Sequence, residues 1–137
     1  SLVIGNFDGV HRGHKKVIKA AKIISKKNKS QLGVMMFDPH PREYFTKEKQ
    51  FLLSSLETKS KILESLGVNF IIILKFNKTL ASMSALNFCD KILLNSCKMQ
   101  HVFIGNNFRF GKDRTGNLKY LEKFAKKNNF KSEKSDI

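Results

Sequence analysis

The chain has 137 residues, of which 41% are hydrophobic and 27% charged, and its 26 lysine and arginine residues against 11 acidic ones give a formal net charge of +15. This length and composition fit one globular domain, residues 1–137, with a single core. The charge excess indicates either a polyanionic partner or lysine-rich helix faces that are only solvated. We favour the second interpretation, and nucleic acid is not an expected partner, because the basic residues are not interleaved with aromatics in a repeating way.

Membrane insertion and structural zinc are not expected either. No apolar run approaches the roughly 20 residues that a membrane-spanning helix needs, and the start of the chain, which is not a methionine, has no signal-peptide pattern. Cys89 and Cys97 form neither a CxxC pair nor a Cys/His ligand set. We therefore expect a reduced, cytoplasmic setting, with Cys89 a small core residue of a helix rather than a nucleophile.

The first predicted element is a short apolar strand at residues 2–4, followed by a glycine-rich turn over residues 5–14. Apolar residues then recur at helical spacing from His14 to Ile24. Residues 32–37 form a second predicted strand, so the first forty residues are one βαβ unit. A turn between a strand and a helix directs free N–H groups and the positive end of the helix dipole at one spot, which makes an anion site.

A proline-rich loop follows the second strand. Its sequence, Asp38-Pro39-His40-Pro41, contains both prolines of the chain, which forbid regular structure and stiffen the loop into an extended shape. A rigid loop at the carboxyl end of a strand is a common place to hold a ligand.

The middle of the chain alternates helices and strands. A capping box at residues 54–57, Ser-Ser-Leu-Glu, predicts the start of a helix that Gly67 ends. Residues 70–74 give the strongest strand signal in the sequence. No element is predicted in the connection over residues 76–83, and residues 85–94 are predicted to be helical.

A second glycine-punctuated loop, residues 105–116, follows a fourth strand that is predicted over residues 101–104. This loop carries aromatic residues, an amide and two arginines. A helix is predicted over residues 118–125, and the polar tail from Lys126 ends where another strand could begin.

Strands that alternate with helices predict an α/β fold with a mainly parallel sheet. We expect a doubly wound, Rossmann-like architecture in three layers, α/β/α, with the strand order 3-2-1-4-5. In that order the first and fourth strands are neighbours, so the glycine-rich turn and the loop of residues 105–116 would lie over one crevice.

Two histidines at the start of the first helix, His11 and His14, suggest what the glycine-rich turn binds. A cationic histidine is disfavoured at a helix N-terminus until a phosphate arrives, and Gly13 lets a polyphosphate approach the backbone. Such a site would stabilise charge on an α-phosphate and on departing pyrophosphate. Two other interpretations stay open: glycines that only tighten the turn, and a metal site of His11, His14 and Asp8.

The segment His11-Arg12-Gly13-His14 resembles the H-x-G-H signature of the nucleotidylyltransferase superfamily, shared with class I aminoacyl-tRNA synthetases. The longer string over residues 5–14, Gly-Asn-Phe-Asp-Gly-Val-His-Arg-Gly-His, resembles the N-terminal FMN adenylyltransferase module of bacterial bifunctional riboflavin kinase/FAD synthetases. Two further stretches match that family in the same order: residues 37–42, Phe-Asp-Pro-His-Pro-Arg, and residues 105–116 with Phe108, Phe110, Gly111, Arg114 and Gly116.

The resemblance implies transfer of AMP from ATP to FMN, assisted by Mg²⁺, giving FAD and pyrophosphate. Its catalytic set would be His11 and His14, which contact the ATP phosphates, and Asn107, a polar contact between the substrates. It further implies a nucleotide site at Gly5, Asn6, Phe7, Asp8, Gly9, Gly13 and Arg114, and a flavin site at Phe37, Pro39, His40, Pro41 and Phe110. No protein ligand is assigned to Mg²⁺, which would bind through the ATP phosphates. For Phe108 and Phe110 the alternative is core packing.

The chain departs from the family pattern in two ways. Asn107 stands where the family often carries an acidic residue, so no metal or proton role follows for it. The family's Ser/Thr-rich motif ending in arginine, and the riboflavin kinase barrel after it, are not in this sequence. We therefore expect either a fragment of a longer chain that carries the kinase domain or a shortened relative with weakened ATP binding.

Three alternative functions stay open. The chain could be an adenylyl- or cytidylyltransferase with another acceptor, although the aromatic, proline-stiffened loop argues for flavin. It could be an inactive flavin- or nucleotide-binding remnant, or a basic RNA-binding module whose binding is sensitive to salt.

Overall fold

The computed structural model describes residues 1–5, 12–38, 56–96, 100–105 and 108–135. These residues form five strands: β1 (Leu2–Ile4), β2 (Gly33–Asp38), β3 (Phe70–Lys75), β4 (His101–Gly105) and β5 (Lys131–Ser135). The strands make one sheet in the order β3-β2-β1-β4-β5, and every neighbouring pair runs parallel. The predicted strand order and the parallel sheet are therefore confirmed.

Helical segments connect these strands. They are α1 (Arg12–Lys27), α2 (Leu56–Ser65), α3 (Lys78–Ala81), α4 (Ala85–Asn87) with its π-helical continuation (Phe88–Ser96), a 3₁₀ turn (Lys112–Arg114) and α5 (Leu118–Lys127). Among the described residues, no helix combines the length and the apolar character needed to cross a membrane.

Each face of the sheet has its own apolar core, because side chains alternate along a strand. Leu2 and Ile4 belong to a core closed by the π-helical segment and α5, whereas Val3 belongs to a core closed by α1 and α2. Helices thus cover both faces in three layers, as predicted. Among the described residues, the buried apolar ones on helices are Ala85, Phe88, Cys89, Leu93, Leu121, Phe124 and Ala125 on the first face, and Val17, Ile18, Ala21 and Leu63 on the second.

Gly67 ends α2 as predicted, in a left-handed conformation with φ +95° that glycine adopts without strain. Its N–H donates to the carbonyl oxygen of Glu64, 3.0 Å away. The side chain of Lys22 on α1 lies where a Cβ of residue 67 would stand, so its ammonium group is close to the negative end of the α2 dipole. The two serines of the predicted capping box lie outside the described residues, and α2 begins directly after them.

The segment between β3 and β4 differs from the expectation in two places. The connection over residues 76–83 contains α3, whose N-cap Asn77 accepts a hydrogen bond of 3.0 Å from the Leu80 N–H. The predicted helix over residues 85–94 is α-helical only in α4 and then π-helical. A π-helix bonds residues five apart, and Phe88 and Leu93 are indeed both buried against the same core.

The polar tail forms β5, although its sequence Lys-Ser-Glu-Lys-Ser shows no apolar alternation. Its backbone pairs with β4 along the whole length of both strands. An edge strand of this kind is held by the backbone ladder, which explains why hydrophobic patterning does not reveal it.

Candidate functional site

The carboxyl ends of β1, β2 and β4 lie side by side, because Ile4 at the end of β1 is in register with both Met35 and Ile104. The N–H of Gly5 continues this ladder by donating to the Met35 carbonyl oxygen at 3.1 Å. The chain therefore leaves the sheet at Gly5, between the carboxyl ends of β2 and β4, which is the crevice position of doubly wound folds.

Helix α1 begins at Arg12, directly after the glycine-rich turn, so its N-terminus lies at this crevice. Sixteen helical residues place partial positive charge and unpaired N–H groups at that end. His14 lies in the first turn of the helix and is buried, with 6% of its surface exposed. Gly5, the start of α1 and His14 thus lie at the same edge of the sheet, and their role in binding phosphate stays a prediction.

Three phenylalanines form an aromatic wall at the same edge, which we define as Phe37, Phe76 and Phe108. Phe37 is near the end of β2, and its ring stacks on that of Phe108 with centroids 6.0 Å apart and an interplanar angle of 19°. Phe76, directly after β3, meets Phe37 edge to face at 6.0 Å. Stacked and edge-to-face pairs of this kind hold their rings in fixed orientations, and Phe108 remains partly exposed.

Phe110 is turned into the core and is 6% exposed. Its ring lies 5.1 Å from that of Phe88 and meets Tyr120 edge to face at 6.1 Å. Its backbone exchanges two hydrogen bonds with Gly116, of 3.1 and 2.8 Å. The described conformation therefore gives Phe110 a packing role, and its predicted flavin contact stays a prediction. Phe76 and Phe108, by contrast, are partly exposed in the described part of the chain.

The loop after Phe110 has a strained backbone. Gly111 has φ +78°, and it packs so closely on α4 that a Cβ would stand 2.7 Å from the Ala85 nitrogen and Cα. Asp113 and Arg114 have φ of +57° and +58°, a region that costs a non-glycine residue of order 1 kcal/mol. The Arg114 side chain is exposed on this turn.

Cys89 is a core residue and not a nucleophile, as predicted. It is fully buried in the π-helical segment, and burial raises the pKa of its thiol to about 12. The thiolate, which is the reactive form, is therefore not populated at neutral pH.

The described residues at this edge are compatible with Mg²⁺ that arrives bound to a nucleotide. Within those residues, no three His, Cys, Asp or Glu side chains are grouped to hold a metal ion. Asp38, exposed at the end of β2, is a carboxylate at the correct edge. Mg²⁺ is commonly held by one or two carboxylates together with substrate phosphates, so this donor set fits. The alternative metal site depends on Asp8 and His11, which lie outside the described ranges.

The predicted site residues divide into two groups. The structure describes Gly5, Gly13, His14, Phe37, Phe110 and Arg114, all on segments that meet at the carboxyl edge of the sheet. The predicted roles of Asn6, Phe7, Asp8, Gly9, His11, Pro39, His40, Pro41 and Asn107 stay predictions, because these residues lie outside the described ranges.

The sequence matches known proteins over nearly its whole length. Residues 1–136 match the family model described as FAD synthetase. The bifunctional riboflavin kinase/FMN adenylyltransferase of Buchnera aphidicola subsp. Schizaphis graminum is 36% identical over 96% of this chain and 42% of the relative. Proteins of the same description from Bacillus subtilis and Escherichia coli K12 are 38% and 34% identical, over 88% and 89% of the chain. The chain spans about two fifths of the length of these relatives.

A solved structure has the same fold. The crystal structure of a macrolide-efflux protein from Streptococcus pneumoniae superimposes with a TM-score of 0.81 over 96% of this chain and 44% of that one. Because the two sequences are only 20% identical, this likeness is evidence of the fold alone.

Proposed function

Because this chain belongs to the FAD synthetase family, we propose that it transfers AMP from ATP to FMN, releasing FAD and pyrophosphate. The observation that carries the proposal is that the start of α1 and the aromatic wall both stand at the carboxyl edge of the sheet, on its two opposite faces. The first feature suits phosphates and the second suits a large flat ring. The curated relatives carry FMN adenylyltransferase in their names, which supports the same substrates.

The proposed reaction is an in-line displacement at the α-phosphorus of ATP. An oxygen of the FMN phosphate forms the new P–O bond, while the bond from the α-phosphorus to the oxygen that bridges to the β-phosphate breaks. The electron pair of the broken bond leaves with pyrophosphate. The protein forms no covalent bond, and its task is to hold the two substrates in line and to stabilise the developing negative charge.

We assign the phosphate side to the glycine-rich turn and the start of α1. His11 and His14 donate hydrogen bonds to the ATP phosphates, beside the backbone N–H groups of residues 6–9 and the positive end of the helix dipole. Asn107 adds a neutral polar contact between the two substrates. Mg²⁺ bound to the ATP phosphates would supply further charge neutralisation when present.

We assign the flavin side to the aromatic wall together with the proline-stiffened loop of residues 39–41. Phe108, which is partly exposed, is already stacked on the buried Phe37 and so presents a rigid apolar surface with little conformational entropy left to lose on binding. We further propose that the chain acts in the cytoplasm as part of a longer protein with a riboflavin kinase domain, the second activity in the relatives' names.

The test is FAD formation from ATP, FMN and Mg²⁺, measured by chromatography, in the wild type and in His11→Gln. Loss of one positioned donor to a developing phosphate charge should lower the rate roughly 10²–10³-fold. Lys61→Gln, an exposed position on α2 that pairs with Glu57 at 3.4 Å, is the control and should keep the full rate. A His11→Gln rate equal to that of the control would remove the histidine from the mechanism.

Quenching of FMN fluorescence separates the proposal from its alternatives. Quenching without FAD formation would identify a binding protein without turnover. Nucleotidyl transfer to another acceptor without any quenching would identify a different transferase, and a chain that neither quenches FMN nor forms FAD would contradict the proposal.

A further inference from the structure

Lys59 on α2 is a buried ionisable residue that the proposed mechanism leaves unused, with 6% of its surface exposed. It lies one turn before the core residue Leu63, so it takes the next place on the apolar side of the helix. Lysine is almost never buried unless its charge is paired, because removing an ammonium group from water is costly. From its position we infer that Lys59 binds the β- and γ-phosphates of ATP, the part that leaves as pyrophosphate; the inference rests on the proposed function.

Helix α2 runs from the carboxyl edge of the sheet to the amino edge. Its end is fixed at the amino edge, because Asn69 exchanges two hydrogen bonds, of 2.8 and 2.9 Å, with Leu32 just before β2. Lys59 lies eight residues before Gly67, about 12 Å closer to the carboxyl edge, whereas the whole of β2 rises about 17 Å. Helical side chains lean toward the N-terminus of their helix, so the long side chain of Lys59 extends toward the carboxyl edge.

Lys59 is level with His14 on the neighbouring helix. α1 also begins at the carboxyl edge, so the two helices run in the same direction, and both pack on the core that contains Val3. The side chain of Lys22 on α1 lies against Gly67 at the end of α2. Counting eight residues back along each helix gives His14 and Lys59, level to within about one helical turn, and both are 6% exposed. Two buried basic side chains therefore lie near the carboxyl edge on this face of the sheet.

The two faces of the sheet separate the two ends of the proposed reaction. The aromatic wall, where we place the flavin, lies on the face of α5, whereas His14 and Lys59 belong to the helices that cover the opposite face. In an in-line displacement the attacking oxygen and the leaving group stand on opposite sides of the α-phosphorus. An FMN phosphate that attacks from the aromatic face therefore expels pyrophosphate toward α1 and α2, where Lys59 meets the charge that develops on it.

The ammonium group of Lys59 can bind phosphate together with the group that it already contacts. Lys59 has an interaction partner in the structure, as a buried cation requires. An ammonium group carries three N–H donors, so one partner leaves donors for phosphate oxygens. Hydrogen bonds between ammonium and phosphate are charge-assisted, and in a buried site they are stronger than in water.

The test compares the affinities of ATP and AMP for the full chain by isothermal titration calorimetry, without FMN. The two nucleotides differ only in the β- and γ-phosphates, so the ratio of their affinities reports on this part of the ligand. Lys59→Met keeps the length of the side chain and removes its charge, and it should weaken ATP by about tenfold or more while AMP is unchanged. Lys59→Arg keeps the charge and should keep most of the ratio.

Lys61→Met is the matched control, because Lys61 is exposed on the same helix, and it should leave both affinities unchanged. Equal weakening of ATP and AMP in Lys59→Met would give Lys59 a purely structural role and overturn the inference. An unchanged ATP affinity in Lys59→Met, or the same loss in Lys61→Met, would overturn it as well.

Thermal melting verifies that each variant is folded. If Lys59→Met does not fold, NMR of the wild type decides: tripolyphosphate should shift the ε-methylene resonances of Lys59, and the absence of this shift would overturn the inference. The result is distinguishable from that of the proposed function. A chain that forms no FAD but loses its preference for ATP in Lys59→Met keeps this phosphate site, whereas full FAD formation by Lys59→Met keeps the function and removes Lys59 from it.

Discussion

Replacing Gly111 with alanine should destabilise the loop that follows β4, for two independent reasons. The backbone at this position has φ +78°, and a left-handed conformation costs an L-residue roughly 1–2 kcal/mol. The new Cβ would also stand 2.7 Å from the Cα and nitrogen of Ala85, which are backbone atoms and cannot rotate away. Overpacking of this kind costs about 1–3 kcal/mol. The two effects together amount to about 2–5 kcal/mol, a large part of the roughly 5–15 kcal/mol that stabilises a typical domain.

Urea unfolding followed by circular dichroism measures this loss as a shift of the midpoint. Gly33→Ala is the matched control, because the atoms nearest to its Cβ belong to the ring of Phe70, which is 40% exposed and can turn aside. The control should lose less than about 1 kcal/mol. Equal losses in the two variants, or a loss below about 1 kcal/mol in Gly111→Ala, would refute the account of this loop.

Burial lowers the pKa of His101 below its ordinary value of 6.5, although Glu133, whose Oε1 lies 3.1 Å from Nε2, acts in the opposite direction. The unfolded chain therefore binds a proton more readily than the folded protein does, and the free energy of unfolding should fall as the pH drops below about 6.5, by at most about 1.4 kcal/mol per pH unit. Urea unfolding across this pH range should show a loss of stability that His101→Gln lacks. Identical pH profiles of the wild type and this variant would contradict the prediction. In a Cys97→Ser background, Cys89 should react with a thiol reagent only as fast as the protein opens, and immediate labelling of the folded protein would show that the thiol is accessible. Asn117→Ala removes the N-cap of α5, a hydrogen bond of 2.8 Å, and should cost about 1 kcal/mol in thermal melting, whereas Asn117→Asp should keep most of the stability.

The strands show how much of the fold can be predicted from the sequence. β1, β2 and β4 are apolar runs because they are buried on both faces, and their positions are predicted to within a residue or two. β5 is polar and becomes a strand only because β4 offers a free edge to pair with. The π-helical form of residues 88–96 brings Phe88 and Leu93, five residues apart, to the same core, a spacing that the predicted α-helix does not favour.

By itself, the sequence determined the chemistry of the candidate site: a glycine-rich turn with two histidines, a stiff proline loop and an aromatic, arginine-bearing loop. Only the tertiary structure decided which of these side chains are buried and which are accessible. Phe108 and Phe110 are two residues apart with identical side chains, yet Phe110 packs on Phe88 in the core while Phe108 stacks on Phe37 and stays accessible. The physical reason is that local sequence sets what a side chain can do, whereas contacts between distant segments, such as Gly111 against Ala85, set which way the loop turns it.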